Sequence, residues 1–280
     1  MADRRWLAYA ALAAAIVGMA WSAVFVRWAG VSALSAAFYR VSIAALVLIP
    51  WRLTHRRSRP VSGRAARLAL AGGAFFAADL ALFNSAVLLG NNAPIFVGLG
   101  TWLFLGRRPR ATFWIGLALA LGGCAYIVFS DAAQGRSAAH GNIAGDLLAL
   151  TAAVFWAAYM LTTEHVRADM DTLTFNTIAV SGSVATLLVA CVVMGVPLWG
   201  YSARTWAALL ALGLVSQLAA YFALVYALGH LRATVTSVSI LAQVPLSAVL
   251  AAIFLGEPLS SAQLIGGIVV LAGISVVTRQ

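Results

Sequence analysis

The sequence predicts an all-α membrane protein of about ten transmembrane helices in two inverted five-helix repeats. Three observations carry that prediction: a composition too apolar for a soluble surface, a one-sided distribution of arginine, and a repeat with a spacing of 150 residues. Of 280 residues, 63% are apolar and only 9% are charged, and the mean hydropathy is +0.95. So few charges cannot cover a soluble domain.

The charged start Met1 to Arg5 leads into an apolar run with no small-residue cleavage site, which predicts a first span at 6–26 rather than a removed signal peptide. Spans follow at 34–51, which holds Arg40, and at 67–90, which holds Asp79. The fourth stretch, 92–105, is short: from Pro94 onward it rises roughly 18 Å as a helix, against a hydrocarbon core of about 30 Å. Either Gly90-Asn91-Asn92-Ala93 is unwound inside the bundle, or the chain lacks a stretch that the natural protein has. If 92–105 does not cross, the count falls to nine. Spans at 112–130, 145–165, 173–195, 204–228, 233–255 and 261–278 complete the set. Their Gly, Ala and Leu content, without strand-like alternation, suits close helix packing in lipid rather than an outer-membrane barrel. Cys124 and Cys191 sit in apolar spans without a metal-ligand pattern and are expected to act as small buried apolar groups.

Every basic residue that counts toward the net charge of +10 is arginine; the chain has no lysine. With ten spans and a cytoplasmic N-terminus, 14 of the 18 arginines fall on the cytoplasmic side: Arg4, Arg5, Arg52, Arg56, Arg57, Arg59, Arg64, Arg67, Arg107, Arg108, Arg110, Arg167, Arg232 and Arg279. Arg27, Arg136 and Arg204 fall outside, and Arg40 lies within a span. The positive-inside rule then puts both termini in the cytoplasm of a cell whose inner (plasma) membrane the chain crosses repeatedly. Topology accounts for the positive charge, so no nucleic-acid partner is needed; the expected partners are a small-molecule substrate and the lipid bilayer. A single sequence leaves the oligomeric state open.

Gly106, Gly116 and Gly123 recur at Gly256, Gly266 and Gly273 with that constant spacing, and Phe104-Leu105-Gly106 matches Phe254-Leu255-Gly256. Earlier in each half, Ala20-Trp21-Ser22-Ala23 resembles Phe155-Trp156-Ala157-Ala158, and Gly72 and Ala86 correspond to Gly213 and Ala227. The predicted repeats are 1–135 and 136–280. Five spans per unit is an odd number, so the second copy enters the membrane from the opposite side. The loops agree: Arg107-Arg108-Pro109-Arg110 in the first half stands where the second has Glu257-Pro258.

The pattern Pro94, Phe104-Leu105-Gly106, Gly116, Gly123 and its copy Pro245, Phe254-Leu255-Gly256-Glu257-Pro258, Gly266, Gly273 resembles the EamA-type repeat of the drug/metabolite transporter superfamily. Arg40 also resembles that family's usual arginine in the second span. The resemblance implies ten spans in two inverted halves and a carrier, commonly an exporter, of amino acids, nucleotide-sugar-like metabolites, amines or drugs. Trp21-Ser22 and Trp156-Ala157-Ala158-Tyr159 look most like the aromatic amino acid exporters of the YddG type. One departure stands out: 18 residues separate Ala227 from Pro245 but only 8 separate Ala86 from Pro94.

Polar groups at membrane depth are the first candidates for function, since charge there is costly unless it faces a cavity or a partner. Arg40 and Asp79 are the only ionisable residues well inside the predicted spans. Either they pair with each other, or Arg40 holds a substrate carboxylate while Asp79 binds an ammonium or a proton. Asn84, Asn91, Asn92, Gln217 and Gln243 add neutral donors and acceptors, which serve equally as glue between helices. Glu164, beside His165 and Arg167, reads as a solvated helix end.

Trp21, Tyr39, Phe76, Phe83, Trp102, Trp156, Tyr159, Tyr221 and Tyr226 are candidates to wall a cavity for a flat, amphipathic ligand. Trp6, Trp28, Trp51, Trp199 and Trp206 read as interfacial anchors. Pro94 and Pro245 each free a helical carbonyl and are candidate hinges or harmless kinks. The chain lacks the lysine of a phosphate-binding loop and has no HExxH or GxSxG motif. The expectation is a secondary transporter working by alternating access, with no catalytic residue, no metal and no cofactor. A multidrug or lipid-linked substrate carrier and a non-transporting scaffold are the alternatives to amino acid export.

Overall fold

The computed structural model describes residues 2–55, 61–83, 92–133 and 143–279. Asn84, Asn91, Ala86, Gly90, Arg56, Arg57, Arg59 and Arg136 lie outside these residues. Helices account for the regular structure: α1 (Ala2–Ala29), α2 (Ala33–Thr54), α3 (Gly63–Phe83), α4 (Ala93–Leu105), α5 (Ala111–Ala133), α6 (Ile143–Val166), α7 (Thr172–Val193), α8 (Ala203–Ala211), a π segment (Leu212–Ala219), α9 (Ala220–Leu228), α10 (Ala233–Ile240), α11 (Gln243–Leu255) and α12 (Ser261–Thr278). Among the described residues, nine runs are long and apolar enough to cross a bilayer, and Ala93–Leu105 is a shorter apolar helix. The protein is a multi-pass α-helical membrane protein.

Local sequence sets the helix ends. Ser32, Asp171, Ser202 and Ser260 each stand at an N-cap and accept a hydrogen bond from the backbone three residues on; at Ser260 the Gln263 side chain closes a full capping box. Gly106 and Gly256 end α4 and α11 with φ of 64° and 69°, a left-handed backbone that glycine adopts without strain.

The ninth predicted span is broken. It runs as α10, turns at Leu241 and Ala242, and resumes as α11. Pro245 supplies the reason, because its ring crowds the carbonyl four residues back, that of Leu241, and it has no N–H to donate there. The chain closes the gap with tighter bonds: the N–H of Leu241 donates to Val238, that of Ala242 to Ser239 and that of Val244 to Leu241.

The short fourth stretch now has a counterpart. α4 and α11 each contain 13 residues and start and stop at the same repeat spacing, Ala93 with Gln243 and Leu105 with Leu255. α4 therefore matches the second piece of the broken span, and Pro94 lies in its first turn.

Packing rests on glycine and alanine, as lipid requires where apolar burial alone gives helices no reason to associate. A β-carbon on Gly116 would lie 2.5 Å from the Gly273 carbonyl oxygen and one on Gly273 2.5 Å from that of Gly116; Gly123 and Gly266 block each other in the same way, at 2.6 and 2.7 Å. This reciprocity is the mark of an approximate two-fold axis between α5 and α12. The other close pairings are reciprocal too: α1 packs on α11 as α6 packs on α4, and α3 packs on α7 as α2 packs on the π segment.

The two ion pairs among the described residues follow the same relation with the charges exchanged. Arg27 in the last turn of α1 pairs with Glu257, just after Gly256. Glu164 in the last turn of α6 pairs with Arg107, just after Gly106, at 3.3 Å. Trp6, Trp28, Trp51 and Trp199 are exposed, as interfacial anchors are, whereas Trp206 packs edge-on to Tyr39. Cys124 and Cys191 are buried free thiols.

Candidate functional site: a cavity between opposite charges

A cavity of about 140 Å³ lies where α1, α2, α3, α4, α6 and α9 to α11 converge. Arg40 reaches it from α2 and Asp79 from α3, whose side chains would otherwise carry charge into lipid. Pro94, Trp156, Tyr221 and Gln243 complete the part of the wall that sequence reasoning proposed. Ser22 and Ser237 also line it. These two hydroxyls escaped notice because short Ser side chains in apolar helices most often bond their own backbone.

Arg40 is held from behind. Its Nε donates to Gln217 Oε1 at 2.8 Å, its Nη2 to the Ser216 carbonyl at 3.5 Å, and its guanidinium sits 5.5 Å from the centre of the Tyr221 ring. Ser216 and Gln217 belong to the π segment, a rare geometry that recurs at functional sites because its widened turn re-aims side chains and carbonyls. Gln217 is thus a holder of Arg40, 2% exposed and outside the cavity wall. Gly18 lets α1 approach this segment: a β-carbon there would lie 3.3 Å from the Val215 carbonyl oxygen and 2.7 Å from the β-carbon of Ala220, at the start of α9.

Asp79 is 8% exposed and shares the cavity with Arg40 without closing an ion pair with it. Of the two alternatives for Arg40 and Asp79, direct pairing gives way to an arrangement in which a neutral amide anchors the cation and leaves the carboxyl group facing the same space. A guanidinium and a carboxyl group on one small cavity suit a zwitterion, whose own charges can meet both.

The aromatic expectations divide. Trp156 and Tyr221 face the cavity, backed by Phe76 at 6.0 and 4.7 Å between ring centres; Tyr159 packs behind them, 5.3 Å from Phe76 and 5.5 Å from Trp156. Trp21 stacks on Phe25 and packs at a tilt against Phe254, outside the wall. Tyr39 donates to the Leu198 carbonyl near one end of the bundle, among Tyr201 and Trp206. Trp102 is 44% exposed and lies under Arg108. Neither Tyr39 nor Trp102 comes to the cavity, because helical phase and depth, not residue type, decide what a side chain meets. Among the described residues no three His, Cys, Asp or Glu side chains gather closely enough to hold a metal ion.

Glu164 differs from the expected solvated helix end. Its side chain is 15% exposed, and its Oε2 accepts from the Ala233 N–H at 2.8 Å, capping α10 from another helix. Nearby Arg167 donates to the Val225 carbonyl at 3.2 Å, near the end of α9. Burial lowers the pKa of that guanidinium, against Asp171 and Tyr226, which raise it.

The family model for EamA-like transporters matches residues 4–129 and again 143–279. This chain belongs to the EamA-like transporter family. The double match falls on either side of the link between α5 and α6, and a Solute carrier family 35 model matches residues 77–195. The chain is 29% identical over 193 residues to the uncharacterized transporter YwfM of Bacillus subtilis, covering 69% of this chain and 63% of that protein. It is 28% identical over 244 residues to the threonine/homoserine exporter RhtA of Salmonella typhimurium, covering 83% of this chain and 77% of that protein. A solved crystal structure with 18% identity superposes with a TM-score of 0.80 over 98% of both chains, which establishes the shared fold. A member of the EamA-like transporter family, then, carries Arg40 and Asp79 on one cavity.

Proposed function

We propose that this transporter exports small zwitterionic amino acids across a bacterial inner membrane by alternating access, with both termini in the cytoplasm. The observation that carries the reading is the pair Arg40 and Asp79, facing one cavity without neutralising each other. A substrate α-carboxylate takes the free face of the Arg40 guanidinium, and the α-ammonium takes Asp79. Ser22, Ser237 and Gln243 remain to meet a short polar side chain.

Ser22, Ser237 and Gln243 on the wall favour a substrate with a short polar side chain over the aromatic ones that the aromatic residues alone suggest. The likeness to a threonine/homoserine exporter supports the same direction. The reciprocal packing of the predicted repeats 1–135 and 136–280 supports alternating access, since two like halves can rock about the cavity between them.

The test is counterflow into proteoliposomes loaded with unlabelled amino acid, across a panel from serine, threonine and homoserine to tryptophan, with amphipathic drugs included. Saturable exchange is expected, strongest for the small hydroxylated members and abolished by Arg40→Gln and Asp79→Asn. Exchange of drugs but of no amino acid would replace the proposal with a drug carrier of the same family; no exchange of either would favour a scaffold.

A further inference from the structure

At the end of the bundle that holds the Arg107–Glu164 pair, a second pocket lies apart from the central cavity. It is small, about 30 Å³, and four of its lining residues are arginines: Arg107, Arg108 and Arg110 from the α4–α5 link, and Arg232 from the residue before α10. Glu164 is its one lining carboxylate, and both of its oxygens are engaged, Oε1 by Arg107 at 3.3 Å and Oε2 by the Ala233 N–H at 2.8 Å. No ion pair with a described residue engages Arg108, Arg110 or Arg232. Three exposed cations around one small space give it a positive field that attracts an anion.

The surroundings say what kind of anion fits. Arg108 lies 5.6 Å from the centre of the Trp102 ring. Trp102 shares its turn of α4 with Leu103 and Phe104, 71% and 86% exposed on a helix that faces lipid. The pocket therefore lies close to an exposed apolar surface, the pairing of tryptophan, arginine and apolar side chains that marks a membrane interface.

We propose that this pocket binds a phosphate group, supplied by the headgroup of an anionic phospholipid. Planar guanidinium forks match phosphate oxygens in pairs, and basic pockets between transmembrane helices are suited to such headgroups. The phosphate sits among Arg108, Arg110 and Arg232, and the acyl chains run along Leu103 and Phe104. Because Arg108 and Arg110 precede α5 while Arg232 precedes α10, the lipid bridges segments more than a hundred residues apart. This site does not depend on the identity of the transported substrate.

The experiment uses the full chain purified in neutral detergent, with melting temperature and native mass spectrometry as readouts. Phosphatidylglycerol is expected to raise Tm and to leave one retained lipid, while phosphatidylcholine does neither. R110Q/R232Q is expected to weaken phosphatidylglycerol binding at least ~tenfold. R64Q/R67Q, which removes the same charge from the start of α3, is expected to leave it unchanged. Equal loss in both double variants would reduce the effect to surface charge and overturn the site, as would no effect of phosphatidylglycerol on the wild type. Inorganic phosphate that matches the lipid, with no lipid retained, would uphold the phosphate chemistry and overturn the lipid source. Should R110Q/R232Q not fold, R110K/R232K keeps the charge and loses the fork; binding as tight as wild type would then overturn the proposal.

Discussion

Gln217 holds the cation that the proposed function needs. A hydrogen bond to a charged group contributes about 1.5–3 kcal/mol, so Gln217→Ala frees Arg40 to wander and is expected to raise KM roughly tenfold or more with little change in maximal rate. Gln217→Glu should be worse, because a carboxylate at 2.8 Å would occupy the charge that the substrate must meet. Equal transport by both variants would remove Gln217 from the site. Asp171 offers a second residue-scale test, outside the spans. Partial burial raises its pKa, but the N–H and hydroxyl of Thr174 together with Arg52 and Arg167 outweigh this, so the pKa lies below its usual 3.8. A depressed carboxylate stabilises the fold at pH above its unfolded value and loses that contribution as pH falls through the folded one. Thermal melts of wild type and Asp171→Asn should therefore differ at neutral pH and converge in acid, once the pH has fallen through the lowered folded-state value. A gap that stays constant across the titration would show that Asp171 acts as a neutral cap.

Elements pack here by backbone approach, and Gly73 shows how far this goes. A β-carbon on it would run into the Ala179 carbonyl, in the α3–α7 contact where Ser183 Oγ donates to the Gly73 carbonyl at 2.8 Å. Backbone cannot step aside as a side chain can, so Gly73→Ala must part the helices. Its cost is expected at or beyond the ~3 kcal/mol upper end of ordinary overpacking. Gly122 faces open space, and Gly122→Ala should be neutral or stabilising through helix propensity. Thermal unfolding in detergent compares them; similar losses at both positions would mean that the close approach does not hold the bundle together. The break at Leu241 and the π segment interrupt regular helix among the described residues of the second half, and both border the cavity or its arginine.

Across the whole molecule, the charge-exchanged pairs Arg27–Glu257 and Arg107–Glu164 tie opposite ends of the bundle. In an alternating carrier each pair must open when its own end does. Arg27 and Glu257 are both about half exposed, and such pairs contribute no more than ~1 kcal/mol, a factor of about five in an equilibrium. Glu257→Gln is therefore expected to change the ratio of efflux to uptake by less than about fivefold. Arg107→Gln should shift it further in the other direction, since it leaves the mostly buried Glu164 with a backbone N–H alone. Shifts of the same sign in both variants would contradict opposed gates.

Composition and arginine content determined that this chain lives in a membrane, and the spacing from Gly106 to Gly256 determined that its ends of α4 and α11 are alike. Both are written in local chemistry: apolar length, and a left-handed turn that glycine favours. Arg40 and Asp79 were legible for a similar reason, since an ionisable group deep in an apolar run has few places to go. Tertiary structure alone decided that Arg40 bonds Gln217 rather than Asp79, a contact between residues 177 positions apart across a π segment that no propensity announces. It alone decided that Tyr39 and Trp102 sit away from the cavity and that Glu164 caps a distant helix. Sequence records which groups are costly to bury; only the packed helices, by phase and depth, select the partner that meets each one.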